Sequence, residues 1–328
     1  MATMDEFRQT AQRVRTWGRW GPDDELGTLN LIDGEKVQEA AGLVRHGRVF
    51  PLGIGFDDRG PQGRTPYRTN PIHHMTVTGG DGYDLTRRVM GLGTASAELL
   101  SARYDAGPFR FNDDYITMPL QAASQWDALS HAYYEGELYN GFPADTVTSF
   151  GAARCSIDKV DVKGIVSRGV LLDVARARGV ATIAPDLPSI EPGELDEVAR
   201  AQGVRIGRGD IVLVRTGWWP SFAADRAVLA DGWSGLSWRC AEWLHDLEAA
   251  AVAADNIAVE GGVQDLDTLF PLHMLCLRDM GMMFGEIWDL ESLAADCAAD
   301  GVYEVQLVAP PLRVTGAVGS PVNPIAMK

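Results

Sequence analysis

Gly169-Val-Leu-Leu-Asp-Val174 and Ile211-Val-Leu-Val-Arg-Thr216 are the stretches whose reading decides the fold. Each is a continuous apolar run of strand length, the pattern of a strand buried on both faces. Both are expected near the centre of a sheet. Between them, residues 191–203 have helical spacing, with Ser189 and Glu191 near the start and Gly203 at the end. Residues 238–250 are predicted as an amphipathic helix leading into an apolar strand over 251–254, and residues 269–280 as a further helix stopped by Gly281. The first half reads differently. Residues 49–54, 74–77 and 115–120 are short β-like runs separated by Gly, Pro and Asp clusters, and residues 55–70 read as a surface loop. Helices are predicted over 4–16 and 33–45, the second with Asp33 as its N-cap. A β-rich first half followed by alternating helices and apolar strands predicts an α/β fold.

The chain has 328 residues, 46% of them hydrophobic, enough for one large core or two modest ones. We expect one compact domain over residues 46–328, preceded by a helical extension with a Trp-rich loop over residues 1–45. Its formal charge of −16 and lack of a basic run argue against a nucleic-acid partner. The start of the chain carries Asp5, Glu6, Arg8, Arg13 and Arg15 before any apolar run, so a cytoplasmic location is expected. No membrane span is expected, since the most apolar stretch, 249–259, is far shorter than the ~20 residues such a span needs. Cys155, Cys240, Cys276 and Cys297 show no CxxC spacing and read as reduced, buried thiols.

Chemistry-bearing side chains are densest in Gln121-Ala-Ala-Ser-Gln-Trp-Asp-Ala-Leu-Ser-His131. Gln121, Gln125, Asp127 and His131 fit either one face of an extended strand or the flanks of a tight turn. Taken alone, these residues equally suit a turn capped by Asp127 and a hydrogen-bonded structural His131. A second cluster runs from His273, on a helix, to Glu286, inside the apolar strand Met282-Met-Phe-Gly-Glu-Ile-Trp288. A lone Glu in such a strand is costly unless it is paired or bound to a cation, and Arg215 or Arg278 are the available pairs. His73 and His74 occupy adjacent positions, so at most one faces any given site; His74 is assigned to it. Asp113 and Asp114 suit turns and ligands equally, and Asp255 follows an apolar strand, where α/β folds commonly put functional groups, but reads more simply as a helix N-cap.

Residues 121–131 resemble, in register, the His-x-Gly-Thr-His-x-Asp-x-Pro-x-His segment of the cyclase family, which includes bacterial kynurenine formamidase. Asp127 and His131 are retained, and Ser124 stands for the Thr. Gly169 to Val174, Gly209 to Trp218, His273, Glu286 and the segment from Pro311-Leu-Arg to Ser320-Pro321 are similar to further segments of that family, in the same order. The resemblance covers residues 45–328. The Trp17–Asn30 loop and Tyr139-Asn-Gly141 resemble a distinct bacterial and fungal branch. Two motif histidines are replaced by Gln121 and Gln125, the Gly by Ala123 and the Pro by Leu129. Glutamine is a weak neutral ligand, so a site of two imidazoles and a carboxylate does not survive that change unaltered.

The resemblance implies a mixed sheet with a small β-barrel-like core flanked by helices. It also implies a divalent cation and water attack on an amide or ester carbonyl of a small, cyclic or aromatic substrate. One cation is expected on Asp127, His131, His273 and Glu286, with manganese, zinc and magnesium all suited to such ligands. His131 and Asp127 are the expected catalytic groups, because an imidazole takes and returns protons near neutrality. Gln121, Gln125, Trp126, Trp20, Tyr139 and His74 are expected to contact substrate. A homodimer or homotetramer is the family's usual assembly. Two other readings use the same residues: a metal-free lyase or cyclase with Asp127 and His131 as an acid–base pair, and a non-catalytic small-molecule binding protein.

Overall fold

The computed structural model describes residues 1–63, 67–79, 99, 102–103 and 107–328; part of the expected loop, residues 64–66, lies outside them. The chain forms two compact units, one of residues 1–55 with 120–328, the other of residues 56–119. The N-terminal 45 residues therefore belong to the larger unit.

The strands, in chain order, are β1 (Val49–Pro51), β2 (Ile72–Val77), β3 (Asp113–Thr117), β4 (Gln125–Asp127), β5 (Val147–Thr148), β6 (Gly151–Ala152) and β7 (Val166–Asp173). They continue with β8 (Ile211–Arg215), β9 (Ala251–Ala254), β10 (Met283–Glu286), β11 (Glu304–Val308), β12 (Gly319–Pro321) and β13 (Ile325–Met327). Nine of them form one mixed sheet in the order β1-β13-β11-β7-β8-β9-β10-β4-β12, curled into a half-barrel and flanked by helices. β7, β8, β9 and β10 are mutually parallel and occupy its middle, with antiparallel strands on both sides. The two deciding runs are β7 and β8, adjacent and in register from Gly169 opposite Ile211 to Asp173 opposite Arg215. Their apolar side chains, Val170 to Leu172 and Ile211 to Val214, are fully buried. At roughly 1.5–3 kcal/mol for each large aliphatic removed from water, they form the strongest block of the core. β9, Ala251–Ala254, is all small residues, and Gly285 on β10 lets it close further: a Cβ there would lie 2.6 Å from the Ala253 Cβ and 2.8 Å from the Trp288 ring.

The helices follow their end signals. Met4–Val14 opens with a Thr3–Glu6 capping box and buries Phe7, Ala11 and Val14. Gly34–Ala41 is capped by Asp33, as expected, and Pro192–Gln202 ends at left-handed Gly203. Residues 269–280 depart from a plain α-helix. Pro271–His273 forms one α-turn, and Met274–Met280 continues as a π-helix to left-handed Gly281. A side chain at Gly281 would collide with the Tyr139 ring, so glycine is required there. Asp255 is not a helix cap: it accepts from the Thr216 N–H, the Thr216 hydroxyl and the Gly217 N–H, fixing the exit from β8. All four cysteines are free and buried. No helix among the described residues is long and apolar enough to cross a membrane.

In the smaller unit, β2 and β3 pair antiparallel with a register shift between Met75 and Val77. His73 Nε2 lies 2.8 Å from Asp114, and the His74 ring stacks on Tyr115 at 5.3 Å.

Candidate metal centre

β4 and β10 are antiparallel, with Gln125 opposite Glu286 and Asp127 opposite Phe284. Residues two apart share a face, and directly opposed residues share it too, so Gln125, Asp127 and Glu286 converge on one side of the sheet. Trp126 points to the other side, where its Nε1 donates to Ala309 O at 2.8 Å and its ring meets Trp288 edge-on. Gln125 and Asp127 are fully buried and Glu286 nearly so. Gln125 Nε2 donates to Glu286 Oε2 at 2.8 Å and to Asp127 Oδ1 at 3.3 Å. Gln125 Oε1 is buried with no hydrogen-bond partner among the described residues.

His273 enters from the short helix Pro271–His273. Its Nε2 lies 3.3 Å from Glu286 Oε1 and 3.8 Å from Asp127 Oδ2, and its ring is held edge-on by Phe270 and Phe284. One ligand atom from each of Asp127, His273 and Glu286 lies within 4.8 Å of the other two. On its far side, His273 Nδ1 meets Glu260 Oε1 at 2.5 Å. Burial disfavours a charged imidazole here, but the hydrogen bonds to Glu260 and then Glu286 outweigh it and hold His273 up to about 10.

The charge balance is unusual. Among the described residues the only ionic partner of Glu260 and of Glu286 is His273, and Asp127 brings a third buried carboxylate to the group. The arginines that could have neutralised Glu286 are engaged elsewhere: Arg215 with Asp173 and Glu291, Arg278 with Glu137 and Asp279. Buried like charges with so little compensation are expensive, and an oxygen-rich set with one imidazole is the donor set of a divalent cation. The residues fit such an ion.

His131 lies beside this group, its Nε2 3.8 Å from the same Asp127 Oδ2 that faces His273, with 20% of its side chain exposed. Gln121 is on the same edge. Gly319, on β12 opposite Asp127, makes room for it, since a Cβ there would lie 2.5 Å from Gln121 Nε2. Tyr139 and Trp20 lie in other surroundings. Tyr139 is fully buried, its hydroxyl donating to Asp24 at 2.9 Å. Trp20 is half-buried under the Arg19 guanidinium. His74 sits on the hairpin of the smaller unit. Trp17 donates to Arg278 O, and Asn140 ties the loop down through Gly18, Gly21, Pro22 and Asp24, so this loop is packed structure. Glu260 was not singled out by sequence reasoning; its one signal is a Glu soon after the apolar strand 251–254.

Residues 52–261 match the model of the Cyclase family. The chain belongs to that family. A crystal structure described as a novel cyclase is 39% identical to it, covering 96% of this chain and 100% of that one with a TM-score of 0.83. An isatin hydrolase bound to the product analogue thioisatinate shares the fold at 17% identity, covering 90% and 98% of the two chains with a TM-score of 0.59. Isatin hydrolase A from Ralstonia solanacearum does so at 17% identity, 86% and 92% coverage and a TM-score of 0.60. None of the curated proteins matches the sequence. Family membership and the converging buried acids and imidazole together support an enzyme.

Proposed function

We propose that the protein hydrolyses an amide or ester bond, cyclic ones included, of a small aromatic or cyclic molecule, with a divalent cation held by Asp127, His273 and Glu286. One observation carries this reading: three buried ligand-bearing side chains from separate elements bring their donor atoms within 4.8 Å of one another. The isatin hydrolases of similar fold make cyclic amides the first substrates to try. A cation in this position supplies Lewis-acid polarisation of a carbonyl and a lowered pKa for water. The protein's side chains do the rest. His131, close to Asp127 and partly open to solvent, takes the proton of the attacking water and returns it to the departing nitrogen or oxygen. Gln125 holds Glu286 and Asp127 apart with its Nε2 and offers its unused Oε1 to a substrate N–H or to water. Gln121 orients the other side of the carbonyl. We expect the protein to act in the cytoplasm as a homodimer or homotetramer.

The test is elemental analysis of protein purified without chelator, run beside turnover of a cyclic amide and ester panel beginning with isatin. One manganese, zinc or magnesium per chain, and activity lost with Asp127→Ala, supports the proposal. Full activity in cation-free protein defeats it in favour of a metal-free acid–base enzyme. Unchanged ligand affinity with no turnover in any variant would leave a binding protein.

A further inference from the structure

We infer that Glu260 is a positioning residue for His273, one that selects which ring nitrogen faces Asp127 and Glu286. The inference rests on the reading of Asp127, His273 and Glu286 as a cation site.

Glu260 is fully buried, and no Lys or Arg among the described residues pairs with it. Its carboxylate is spent on the short helix that carries His273. Oε2 accepts from the Leu272 N–H at 3.1 Å, and Oε1 accepts from the His273 N–H at 3.0 Å and lies 2.5 Å from His273 Nδ1. That helix has no local cap. Its N-cap residue, Phe270, is left-handed at φ 51° and offers no side-chain acceptor, and Pro271 has no N–H to satisfy. One distant carboxylate thus caps the helix and grips the imbedded ring.

The grip has a chemical consequence. A carboxylate at Nδ1 accepts a hydrogen bond, so when a cation displaces the ring proton that faces Glu286, the proton that remains sits on Nδ1 and the Nε2 lone pair faces Asp127 and Glu286. With the opposite tautomer, Nε2–H would point at two carboxylates and no donor atom would face a cation. The local backbone is built to hold Glu260 there. Val259 before it is left-handed at φ 59°, a costly conformation for a β-branched residue. The Asn256 side chain holds that turn, Oδ1 accepting from Val259 N at 2.7 Å and Nδ2 donating to Ser234 O at 2.7 Å.

The experiment compares full-length wild type with Glu260→Gln by Mn²⁺ titration calorimetry and by long-range ¹H–¹⁵N spectra of the His273 ring in Zn²⁺-loaded and cation-free protein. For Glu260→Gln we expect a folded protein with Mn²⁺ affinity lower by about 10–100-fold, the range for removing a ligand's orienting partner. In wild type we expect a downfield Nδ1–H resonance, shifted upfield or lost in the variant. Wild-type Mn²⁺ affinity in the folded variant overturns the inference, leaving Glu260 a helix cap. Should the variant not fold, the wild-type spectrum decides alone: His273 protonated at Nε2 and bare at Nδ1 overturns it. A wild type that binds neither ion defeats the proposed function. A cation-free Nδ1–H resonance that Glu260→Gln leaves unshifted then overturns the inference on its own.

Discussion

Two groups of buried carboxylates sit at the ends of the same run of parallel strands and are balanced in opposite ways. At the end of β7 and β8, Asp173 pairs with Arg215 at 2.9 Å, and Arg215 reaches Glu291 through two bonds of 2.6 and 2.9 Å. Burial disfavours the guanidinium charge, yet bonds to Glu291 and Asp173 outweigh it and raise the Arg215 pKa. Two strands along, at the end of β10, Glu286 meets Asp127, Gln125 and His273. The first group is complete within the chain. The second has a surplus of negative charge and an unused amide oxygen, which is how a place for a ligand differs from a structural ion pair.

The contrast is open to attack by mutation. The largest effect falls on the second group: Asp127→Ala should lower turnover by about 10²–10⁴-fold and abolish Mn²⁺ binding while the fold persists, checked by steady-state kinetics, calorimetry and circular dichroism. Arg215→Met should do the reverse, costing about 1–3 kcal/mol in urea unfolding by leaving buried Asp173 with only Arg176 as its ionic partner, with Mn²⁺ affinity unchanged. A fall in cation affinity comparable to that of Asp127→Ala would erase the distinction. Cation removal comes next. Restoring Mn²⁺ to 100 times its Kd should add about 2.7 kcal/mol to the chelator-treated protein, read from urea midpoints.

A smaller effect tests the surplus charge itself. In chelator, Asp127→Asn should stabilise the protein by roughly 1 kcal/mol, as is common where function is relieved of charge strain, whereas Asp173→Asn should destabilise it. Equal signs would mean both groups are structural. The remaining effect is confined to acid pH and concerns Asp255, which lies between the two groups at the end of β9. Burial, against its bonds from Thr216 and Gly217, raises its pKa from 3.8 to about 6. The folded state then keeps a proton that the unfolded chain has released, so stability from this group falls as pH rises from about 4 to 6. Wild type should lose stability relative to Asp255→Asn across that window in paired urea titrations.

Much of this arrangement was legible in the sequence because the central strands are doubly buried. β7, β8 and β9 appear where continuous apolar runs placed them, and Glu286 stood out as a lone acid in such a run. Gln125 and Asp127 share a strand face because side-chain period 2 is readable from spacing, whereas Gln121 lies in the turn before that strand. Arg215 and Arg278 could not be excluded as partners of Glu286 by spacing, since their engagement with other acids is a matter of tertiary geometry. The same holds for the aromatic candidates: Trp126 and Tyr139 are core residues, and composition does not separate a ring in a core from one in a pocket. The π-helix over Met274–Met280 escaped because an α-helix has nearly the same apolar spacing. Glu260 escaped for a sharper reason. Its aim depends on a left-handed valine, which local preference argues against.

That valine is not alone. Ile287, next to Glu286, and Phe270, three residues before His273, are also left-handed, at φ 59° and 51°. Each conformation costs about 1–3 kcal/mol and persists only while its neighbours enforce it. The acids and imidazole are therefore held like parts in a clamp, and slackening anywhere in the surrounding packing should let their alignment go well before the sheet itself comes apart.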